Sequence, residues 1–345
     1  MEKEELERFT ANMFKWLLSS EICSKYGAVY SWANDKKPGY VYPEIIGYYI
    51  KLLSYAYKIK KDKRFLNSAL RSADYLSSHL SKNDAVGRDN TDYAFDSAIC
   101  FSGLIALGKV TELNKSHEAA LKRLMDFVYS SIHKRKVAFK HGKNIVDLDR
   151  WSLSYGSLMI KNSIALIEAY DYFDDKKYKE LAESMSRELV GLTFRTDHFS
   201  INGERKFVYT HPHCYATEGL IFLASRGYNE FLPIVYESAG WLARNQNEDG
   251  SLFNWYLREN ISRDRQGDAT AQAARIWLLT DKKKFDNNIR KATSFLKNLQ
   301  SDSGGLHYNI GSKGDLSEDI NSWVTMFAAQ AVLWQTNKPD KEWIV

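Results

Sequence analysis

The sequence predicts an all-α protein, an (α/α)6 barrel in which six helical hairpins close into one ring. The first observation is a repeat: apolar stretches of helical length, each opening with polar and aromatic residues, recur six times at intervals of roughly 50 to 60 residues. The second is that six amphipathic segments of another character lie between them. The third is that short and long connections alternate along the whole chain. Twelve helices in six unequal pairs are expected, with one helix of each pair inside the ring.

The apolar stretches are predicted to be the inner helices, because a helix that is apolar on every side is buried on every side. The stretch that follows Tyr93 shows this pattern, since Ala, Ser and Gly alternate with large apolar residues from Phe95 to Leu107. The predicted inner helices start near Tyr42, Tyr93, Trp151, His213, Asp268 and Asn321.

The amphipathic segments are predicted to be the outer helices, each with one apolar stripe and one solvated face. In the second of them, Phe65 and Leu76 share a stripe, whereas Arg64 and Arg71 lie off it. The predicted outer helices cover 3–19, 62–80, 115–131, 175–190, 229–246 and 283–300.

The long connections all precede inner helices, so they should lie together on one face of the ring. Long loops on a rigid scaffold commonly carry function, and this face is therefore the expected working face. Short β-hairpins are expected within these loops, at 137–143 and at 199–207, where the second contains an Asn-Gly turn. The long connections are 20–41, 81–92, 134–150, 192–212, 247–267 and 301–320.

Composition excludes several classes of protein. The repeat runs from end to end of the 345 residues without a linker, so a single domain, 1–345, is expected. No apolar run reaches about 18 residues, which argues against a membrane partner, and no stripe of Lys and Arg indicates a nucleic-acid partner.

The acidic start is unlike a signal peptide, and three widely spaced cysteines indicate free thiols. A cytoplasmic protein is the expectation, whereas the oligomeric state stays open.

The candidate site consists of the polar groups at the six inner-helix starts. Asp96, Glu44 and Asp268 are the candidate carboxylates for acid, base or nucleophilic roles, and His211, His213 and Tyr155 are candidates for proton transfer. Any single acid at a helix start is more simply explained as a cap, so the prediction depends on all six starts converging. The residues predicted to bind substrate are Tyr42, Arg150, Trp151, Glu218, Arg263, Arg265, Asn321 and Trp323.

The charge of the predicted working face favours an anionic ligand. Many Lys and Arg residues fall in the long loops, among them Arg88, Arg150, Arg263 and Arg265. Six helix N-termini point to the same face, and each favours a nearby anion by about 0.3–1 kcal/mol. An acidic glycan is therefore the expected partner, with Trp151 and Trp323 stacking on its sugar rings.

Two other motifs have simpler explanations. His211, His213 and Cys214 are all possible zinc ligands, but no second Cys/His cluster completes a four-ligand set, so no metal site is predicted. Gln246 and Gln300 each precede a Gly-containing turn and resemble the Gln-Trp repeats of terpenoid cyclases. They are interpreted as structural links between helix and loop, because the acidic clusters of those cyclases are missing.

Four segments carry a resemblance to known proteins: 42–48, 155–161, 210–220 and 321–328, with sequences such as Tyr-Pro-Glu-Ile-Ile-Gly-Tyr and Thr-His-Pro-His-Cys-Tyr-Ala-Thr-Glu-Gly-Leu. They resemble uncharacterised α/α-toroid proteins associated with polysaccharide assembly, and the likeness covers nearly the whole chain. More distantly, the architecture is similar to six-hairpin glycosidases, N-acylglucosamine 2-epimerases and unsaturated glucuronyl hydrolases. The resemblance implies a function linked to glycans without identifying a reaction.

The first hypothesis is thus a carbohydrate-active enzyme acting on an acidic or polymeric glycan. Hydrolysis, which needs no cofactor, comes first, and uronate epimerisation or elimination comes next. The second hypothesis is a non-catalytic glycan-binding or polysaccharide-assembly protein. The third is an isoprenoid-handling toroid, which would require an apolar pit without paired acids.

Overall fold

The computed structural model describes residues 1–37, 39–140, 151–203, 207–256 and 262–345, without the side chain of Trp151. In these ranges the chain forms twelve α-helices, which confirms the all-α class and the (α/α)6 barrel. The inner helices are α2 (Pro43–Lys60), α4 (Ala94–Gly108), α6 (Ser163–Phe173), α8 (Thr210–Ser225), α10 (Gly267–Asp281) and α12 (Ser322–Thr336). The outer helices are α1 (Lys3–Leu17), α3 (Lys63–Ser78), α5 (Lys115–His133), α7 (Lys176–Thr193), α9 (Leu232–Arg244) and α11 (Asp286–Asn298).

Inner and outer helices differ in burial as the sequence pattern predicts. Every residue of α4 from Ala94 to Leu107 is buried, whereas α3 buries one stripe that includes Phe65, Ala69 and Leu76. The buried apolar side chains form one connected cluster around the ring. None of the helices in the described part of the chain is long and apolar enough to cross a membrane.

Glycines let the inner helices approach one another closely. A Cβ on Gly103 of α4 would lie 2.5 Å from the main-chain oxygen of Gly47 in α2. A Cβ on Gly219 of α8 would lie 2.4 Å from the oxygen of Ile160. Larger residues would push these helices apart, so the diameter of the inner ring depends on these contacts.

Short antiparallel strands tie the long loops together on the face where the inner helices begin. Several pairs join neighbouring loops, and the pair Trp32–Asn321 joins the first loop to the last, which closes the ring. Four small sheets lie within the described ranges, in the orders β1-β11-β9, β10-β8-β6, β2-β3-β4 and β5-β7. The strands are β1 (Trp32–Ala33), β2 (Gly87–Arg88), β3 (Thr91–Tyr93), β4 (Ala138–Lys140), β5 (Val208–Tyr209), β6 (Leu252–Phe253), β7 (Trp255–Tyr256), β8 (Arg265–Gln266), β9 (Leu306–His307), β10 (Asn309–Ile310) and β11 (Ile320–Asn321).

The two hairpins expected from sequence take another form where they are described. In the first, β4 pairs with β3 of the preceding loop, and 141–143 lie outside the described residues. In the second, a single bridge joins Phe194 to Phe199, and 204–206 lie outside the described residues. Pairing between neighbouring loops therefore adds to the pairing within loops, because the convergence of the hairpins places those loops side by side.

The third inner helix also starts later than predicted. The segment after Trp151 forms two 3-10 turns, Trp151–Leu153 and Ser157–Asn162, before α6 begins. The backbone of Gly156 is extended, and the next amide donates a hydrogen bond of 2.9 Å to the oxygen of Ile201. This contact with the neighbouring loop takes the place of a first helical turn.

Candidate active site

A cavity of about 700 Å³ lies where the N-terminal ends of the inner helices meet the long loops. Its lining residues come from all six hairpins and the loops that precede their inner helices, as the convergence argument requires. Its lining residues are Trp32, Tyr40, Tyr42, Glu44, Arg88, Asp89, Tyr93, Phe95, Asp96, Ser152, Leu158, Tyr209, His211, Tyr215, Asn254, Asp268, Tyr308, Asp319, Asn321 and Trp323. Seven predicted site residues are therefore brought together: Tyr42, Glu44, Asp96, His211, Asp268, Asn321 and Trp323.

Helix geometry places the three acids in this cavity. Glu44, Asp96 and Asp268 lie in the first turns of α2, α4 and α10, and each side chain is buried. None of these three helices has a side-chain cap, so the positive ends of their dipoles face the carboxyl groups. By contrast, outer helices such as α3 are capped, since Asp62 accepts a hydrogen bond of 2.9 Å from the amide of Arg64.

Glu44 and Asp96 form an electrostatically coupled pair. Burial raises the pKa of Glu44 to about 7, although Arg88 and Lys161 oppose that rise, and the hydroxyl of Tyr215 lies 3.5 Å from Glu44 Oε1. Burial first, and then the negative charge of Glu44, hold the pKa of Asp96 well above its usual range. Two neighbouring carboxyls that resist simultaneous ionisation share one proton near neutral pH.

The environments of the two carboxyls indicate which one keeps the proton. Glu44 accepts hydrogen bonds from Tyr215 and Trp323, and these donors favour its ionised form. Asp96 accepts from Tyr42, but its buried Oδ2 has no hydrogen-bond partner among the described residues. These contacts favour Asp96 as the protonated member of the pair and Glu44 as the ionised member.

His211 and Asp268 form a second group with acid–base character. The distance from His211 Nδ1 to Asp268 Oδ2 is 3.6 Å. Burial lowers the pKa of His211 to about 3, so the imidazole is neutral and the contact is not an ion pair. Burial also raises the pKa of Asp268 to about 6, although the amide of Ala269 donates a hydrogen bond of 2.7 Å to it. Of these two groups, Asp268 is therefore the one that can exchange a proton near neutral pH.

Four aromatic side chains form a continuous wall from the rim to the floor of the cavity. We call Trp32, Tyr40, Tyr42 and Trp323 the aromatic wall. The ring centroids are 5.0 Å apart between Trp32 and Tyr40, 5.9 Å between Tyr40 and Tyr42, and 5.6 Å between Tyr42 and Trp323. Tyr40 is 36% exposed and Tyr42 only 7%, so the wall leads from solvent to the buried acids.

Arg88 is the one Lys or Arg among the described residues that line the cavity. Its Nη1 donates a hydrogen bond of 2.7 Å to the hydroxyl of Tyr40, and its guanidinium lies 4.9 Å from the ring centroid of Tyr42. Its buried Nε has no hydrogen-bond partner among the described residues. These contacts fix a cation with spare donor capacity beside the aromatic wall.

Two predicted site residues on α8 lie away from the cavity. His213 is fully buried on the outer side of the helix, where its Nδ1 accepts a hydrogen bond of 3.1 Å from the amide of Phe199, and burial lowers its pKa to about 3. Glu218 lies deeper along the helix, between Lys161 and Arg275. His213 packs in the core, and Glu218 lies beneath the cavity.

The remaining predicted site residues occupy other places. Tyr155 is half-buried near Arg135 and Glu188, and burial raises its pKa to about 12. Arg265 forms an ion pair of 3.0 Å with Asp249, and Arg263 is exposed; neither lines the cavity. Arg150 and the side chain of Trp151 lie outside the described residues.

Several lining residues were not predicted as site residues. Tyr215 could have been found, because it follows His211 by four positions and so shares its helix face. Trp32, Tyr40 and Tyr308 lie in loops, where no periodicity marks the inward positions. Arg88 was one of many cations on the expected working face, and only the path of its loop distinguishes it.

Two further observations limit the alternatives. Among the described residues, no group of three or more His, Cys, Asp and Glu side chains has an arrangement that could hold a metal ion. A second large groove, about 650 Å³, lies on the outside of the ring between α1 and α3. Asp62 is the one carboxylate among the described residues that line this groove, and it caps α3 and pairs with Arg64, so these residues offer no pair of acids.

No protein-family model matches the chain, and no curated protein sequence matches it either. Solved structures do share its architecture. Cellobiose 2-epimerase from Bacillus thermoamylovorans is 13% identical, with a TM-score of 0.77 over 96% of this chain and 100% of that one. Unsaturated glucuronyl hydrolase from a Bacillus species is 13% identical, with a TM-score of 0.73 over 98% of each chain. A D-mannose isomerase is 15% identical, with a TM-score of 0.74 over 97% of this chain and 98% of that one. This likeness establishes a shared fold over the full length.

Proposed function

We propose that this protein is a carbohydrate-active enzyme that hydrolyses a glycosidic bond in an acidic oligosaccharide or polysaccharide. The observation that carries the proposal is the pair formed by Glu44 and Asp96, in which burial and mutual repulsion keep one carboxyl protonated beside one carboxylate. Glycoside hydrolysis commonly uses such a pair. The pair lies at the inner end of an aromatic wall, and aromatic faces are suitable platforms for sugar rings.

The roles follow from the protonation states. Asp96 donates its proton to the glycosidic oxygen as the bond from that oxygen to the anomeric carbon breaks. Glu44 then either accepts a proton from the attacking water or itself attacks the anomeric carbon, and water completes the hydrolysis. The hydroxyl of Tyr215 and the indole of Trp323 hold the Glu44 carboxylate in place.

The structural neighbours support this choice of chemistry. Unsaturated glucuronyl hydrolases, one of them specific for heparin, share the fold, as does a protein of glycosyl hydrolase family 88. The glycans named for two of these proteins, a glycosaminoglycan and heparin, are acidic, which agrees with the cation beside the aromatic wall. The polar cavity with its acids argues against the isoprenoid alternative, which requires an apolar pit.

Arg88 is proposed to bind the anionic group of the substrate. Arg88→Met is expected to lower kcat/KM for an acidic oligosaccharide by about 10- to 100-fold, because one charge-assisted hydrogen bond contributes about 1.5–3 kcal/mol. The loss on a neutral oligosaccharide of the same length should be several-fold smaller. Arg187→Met, on the outer helix α7, is the matched control. Equal losses on acidic and neutral substrates would contradict a role in charge recognition.

The length of the aromatic wall favours a substrate of more than one sugar unit. Trp32→Ala is expected to raise KM by about tenfold for a tetrasaccharide, and by much less for a monosaccharide glycoside, since an aromatic contact contributes about 0.5–1.5 kcal/mol beyond its buried area. Tyr26→Ala removes an exposed ring of the same loop and serves as the control. The same KM change for both substrates would argue against an outer subsite.

Epimerisation is the second candidate, and the neutral His211 beside Asp268 favours it. In this group Asp268 is the stronger base and could remove a proton from a sugar carbon, and two structural neighbours are a cellobiose 2-epimerase and a D-mannose isomerase. In this case Glu44→Gln would leave much of the activity, whereas Asp268→Asn would abolish it.

One experiment separates these functions: incubation with a panel of acidic and neutral oligosaccharides in heavy water, followed by NMR. New reducing ends indicate hydrolysis and support the proposal. Deuterium at a ring carbon indicates epimerisation, and an unsaturated uronate indicates elimination. Binding without any turnover indicates a glycan-binding or assembly protein and overturns the enzymatic proposal.

A cytoplasmic location is also part of the proposal. Cys23, Cys100 and Cys214 are all buried and free of disulfides, which suits a reducing compartment.

A further inference from the structure

A group of buried charges lies on the axis of the ring beneath the cavity. We call Lys161, Glu218 and Arg275 the axial cluster. Glu218 Oε2 lies 2.7 Å from Lys161 Nζ, and Glu218 Oε1 lies 2.5 Å from Arg275 Nη2, with all three side chains at most 1% exposed. Lys161 Nζ and Arg275 Nη1 also donate to the main-chain oxygen of Val345, at 2.9 and 2.6 Å. Two cations share one carboxylate, so the cluster has a net positive charge from its side chains.

Lys161 is in direct contact with the residues that support Glu44. Its Nζ lies 4.5 Å from the ring centroid of Tyr215 and 5.1 Å from that of Tyr48. The hydroxyl of Tyr48 donates to that of Tyr215 at 3.0 Å, and the hydroxyl of Tyr215 points to Glu44 Oε1 at 3.5 Å. A chain of contacts therefore runs from Lys161 through two tyrosines to Glu44.

The other groups around Glu44 belong to the cavity or to its walls. Arg88 is the second cation near it, and Asp96 is the nearby acid. Lys161 acts from below, where substrate does not reach, because Tyr215 lies between the ammonium and the cavity. The titratable and hydrogen-bonding groups that face Glu44 are Tyr40, Tyr42, Tyr48, Arg88, Asp96, Cys100, Lys161, Tyr215 and Trp323.

We propose that Lys161 is a positioning residue for Glu44, which it holds through the rings and hydroxyls of Tyr48 and Tyr215 without touching the substrate. A cation over the face of a tyrosine orients the ring, and the ring orients its hydroxyl toward the carboxylate. The same buried charge favours the ionised form of Glu44, since charges at such depth are weakly screened. The inference rests on the proposed role of Glu44 in the reaction.

The charge state of Lys161 agrees with this role. Burial lowers the pKa of Lys161 to about 8, although Glu218 opposes the change, so the lysine is mostly charged at neutral pH. Lys161 in turn lowers the pKa of Glu44 against the effect of burial. Removing the lysine charge should therefore raise the pKa of Glu44.

The test is Lys161→Met, which removes the charge at similar length and leaves the Glu218–Arg275 ion pair. Glu44 is titrated by 13C NMR in protein carrying 13C-labelled glutamate carboxyls, with Glu44→Gln to assign its signal. We expect the midpoint of Glu44 to move up by about one pH unit, and the acidic limb of the kcat/KM profile to move with it. A Glu44 midpoint that is lowered, or that is unchanged within a fitting error of about 0.2 pH units, would overturn the proposal.

Two further variants complete the test. Lys51→Met removes another buried lysine, one that pairs with Glu168 at 3.2 Å, and it should leave the Glu44 midpoint in place. Tyr48→Phe removes one hydroxyl of the chain at little risk to folding, and it should also raise the midpoint. If Lys161→Met does not fold, Tyr48→Phe decides: an unchanged midpoint there overturns the proposal. The titration needs no substrate, so it separates a failure of this inference from a failure of the proposed hydrolysis.

Discussion

Asp96→Asn is expected to lower kcat on the hydrolysed glycan by about 10²- to 10⁴-fold, the usual contribution of a positioned general acid. Asparagine has nearly the same shape, so it preserves the fold and the contact with Tyr42 while it removes the proton that the leaving oxygen needs. The measurement is kcat at saturating substrate, with Asp302→Asn, at an exposed turn outside the cavity, as the matched control. Retention of at least half the wild-type kcat by Asp96→Asn would exclude Asp96 as the acid.

The same pair sets the pH dependence of the reaction. Activity requires Glu44 ionised, and its pKa is raised to about 7, so kcat/KM should rise as the pH increases through that region. Activity also requires Asp96 protonated, and its pKa is held well above the usual range, so kcat/KM should fall again at higher pH. The apparent pKa values of both limbs describe the two carboxyls together, because each group affects the titration of the other. In Asp96→Asn the alkaline limb should be lost from the residual activity, whereas the acidic limb should stay in place, because Asp96 is already neutral while Glu44 ionises.

Glu218→Gln is expected to lower the free energy of unfolding by about 3–5 kcal/mol, because it leaves Lys161 and Arg275 buried without their counter-charge. Glu218 is fully buried and, among the described residues, is the one Asp or Glu side chain in contact with both cations, which also donate to the main-chain oxygen of Val345. Urea denaturation followed by circular dichroism measures the change. Glu237→Gln, on the exposed face of α9, is the control and should change stability by less than about 0.5 kcal/mol.

A loss below about 1 kcal/mol for Glu218→Gln would mean that water or a shifted protonation state relieves the two cations. That result would also weaken the description of the axial cluster as a rigid support for Glu44. The activity of the folded fraction gives an independent comparison, since a purely structural role predicts normal kcat once the fraction unfolded is corrected for.

Much of the fold could be predicted because buried positions recur along a helix at regular intervals. The alternation of small and large apolar residues in α4 identified an inner helix, and the stripe of Phe65 and Leu76 identified an outer one. The asymmetry of the connections identified the face that holds the cavity. The start of α6 was harder, because a contact between Gly156 and Ile201 in separate loops decides where the helix begins.

The cavity residues were predictable only where they lie on helices. His211 faces the cavity and His213 faces the core, since two positions correspond to about 200° of rotation on a helix. Glu218 shares the face of His211, but seven residues correspond to a rise of about 10 Å, which places it beneath the cavity. In the loops, Arg88 lines the cavity whereas Arg263 and Arg265 do not. The path of each loop in the folded chain decides this, and the sequence pattern does not encode that path.

The strand pair that joins Trp32 to Asn321 links positions at opposite ends of the described chain. The cavity draws Glu44 from the first hairpin and Trp323 from the last, so neither half of the molecule contains a complete binding site. During synthesis on the ribosome, the cavity can be completed only after the sixth hairpin has emerged and docked beside the first. Such distant pairing also slows folding, because most of the chain must be ordered before its two ends meet.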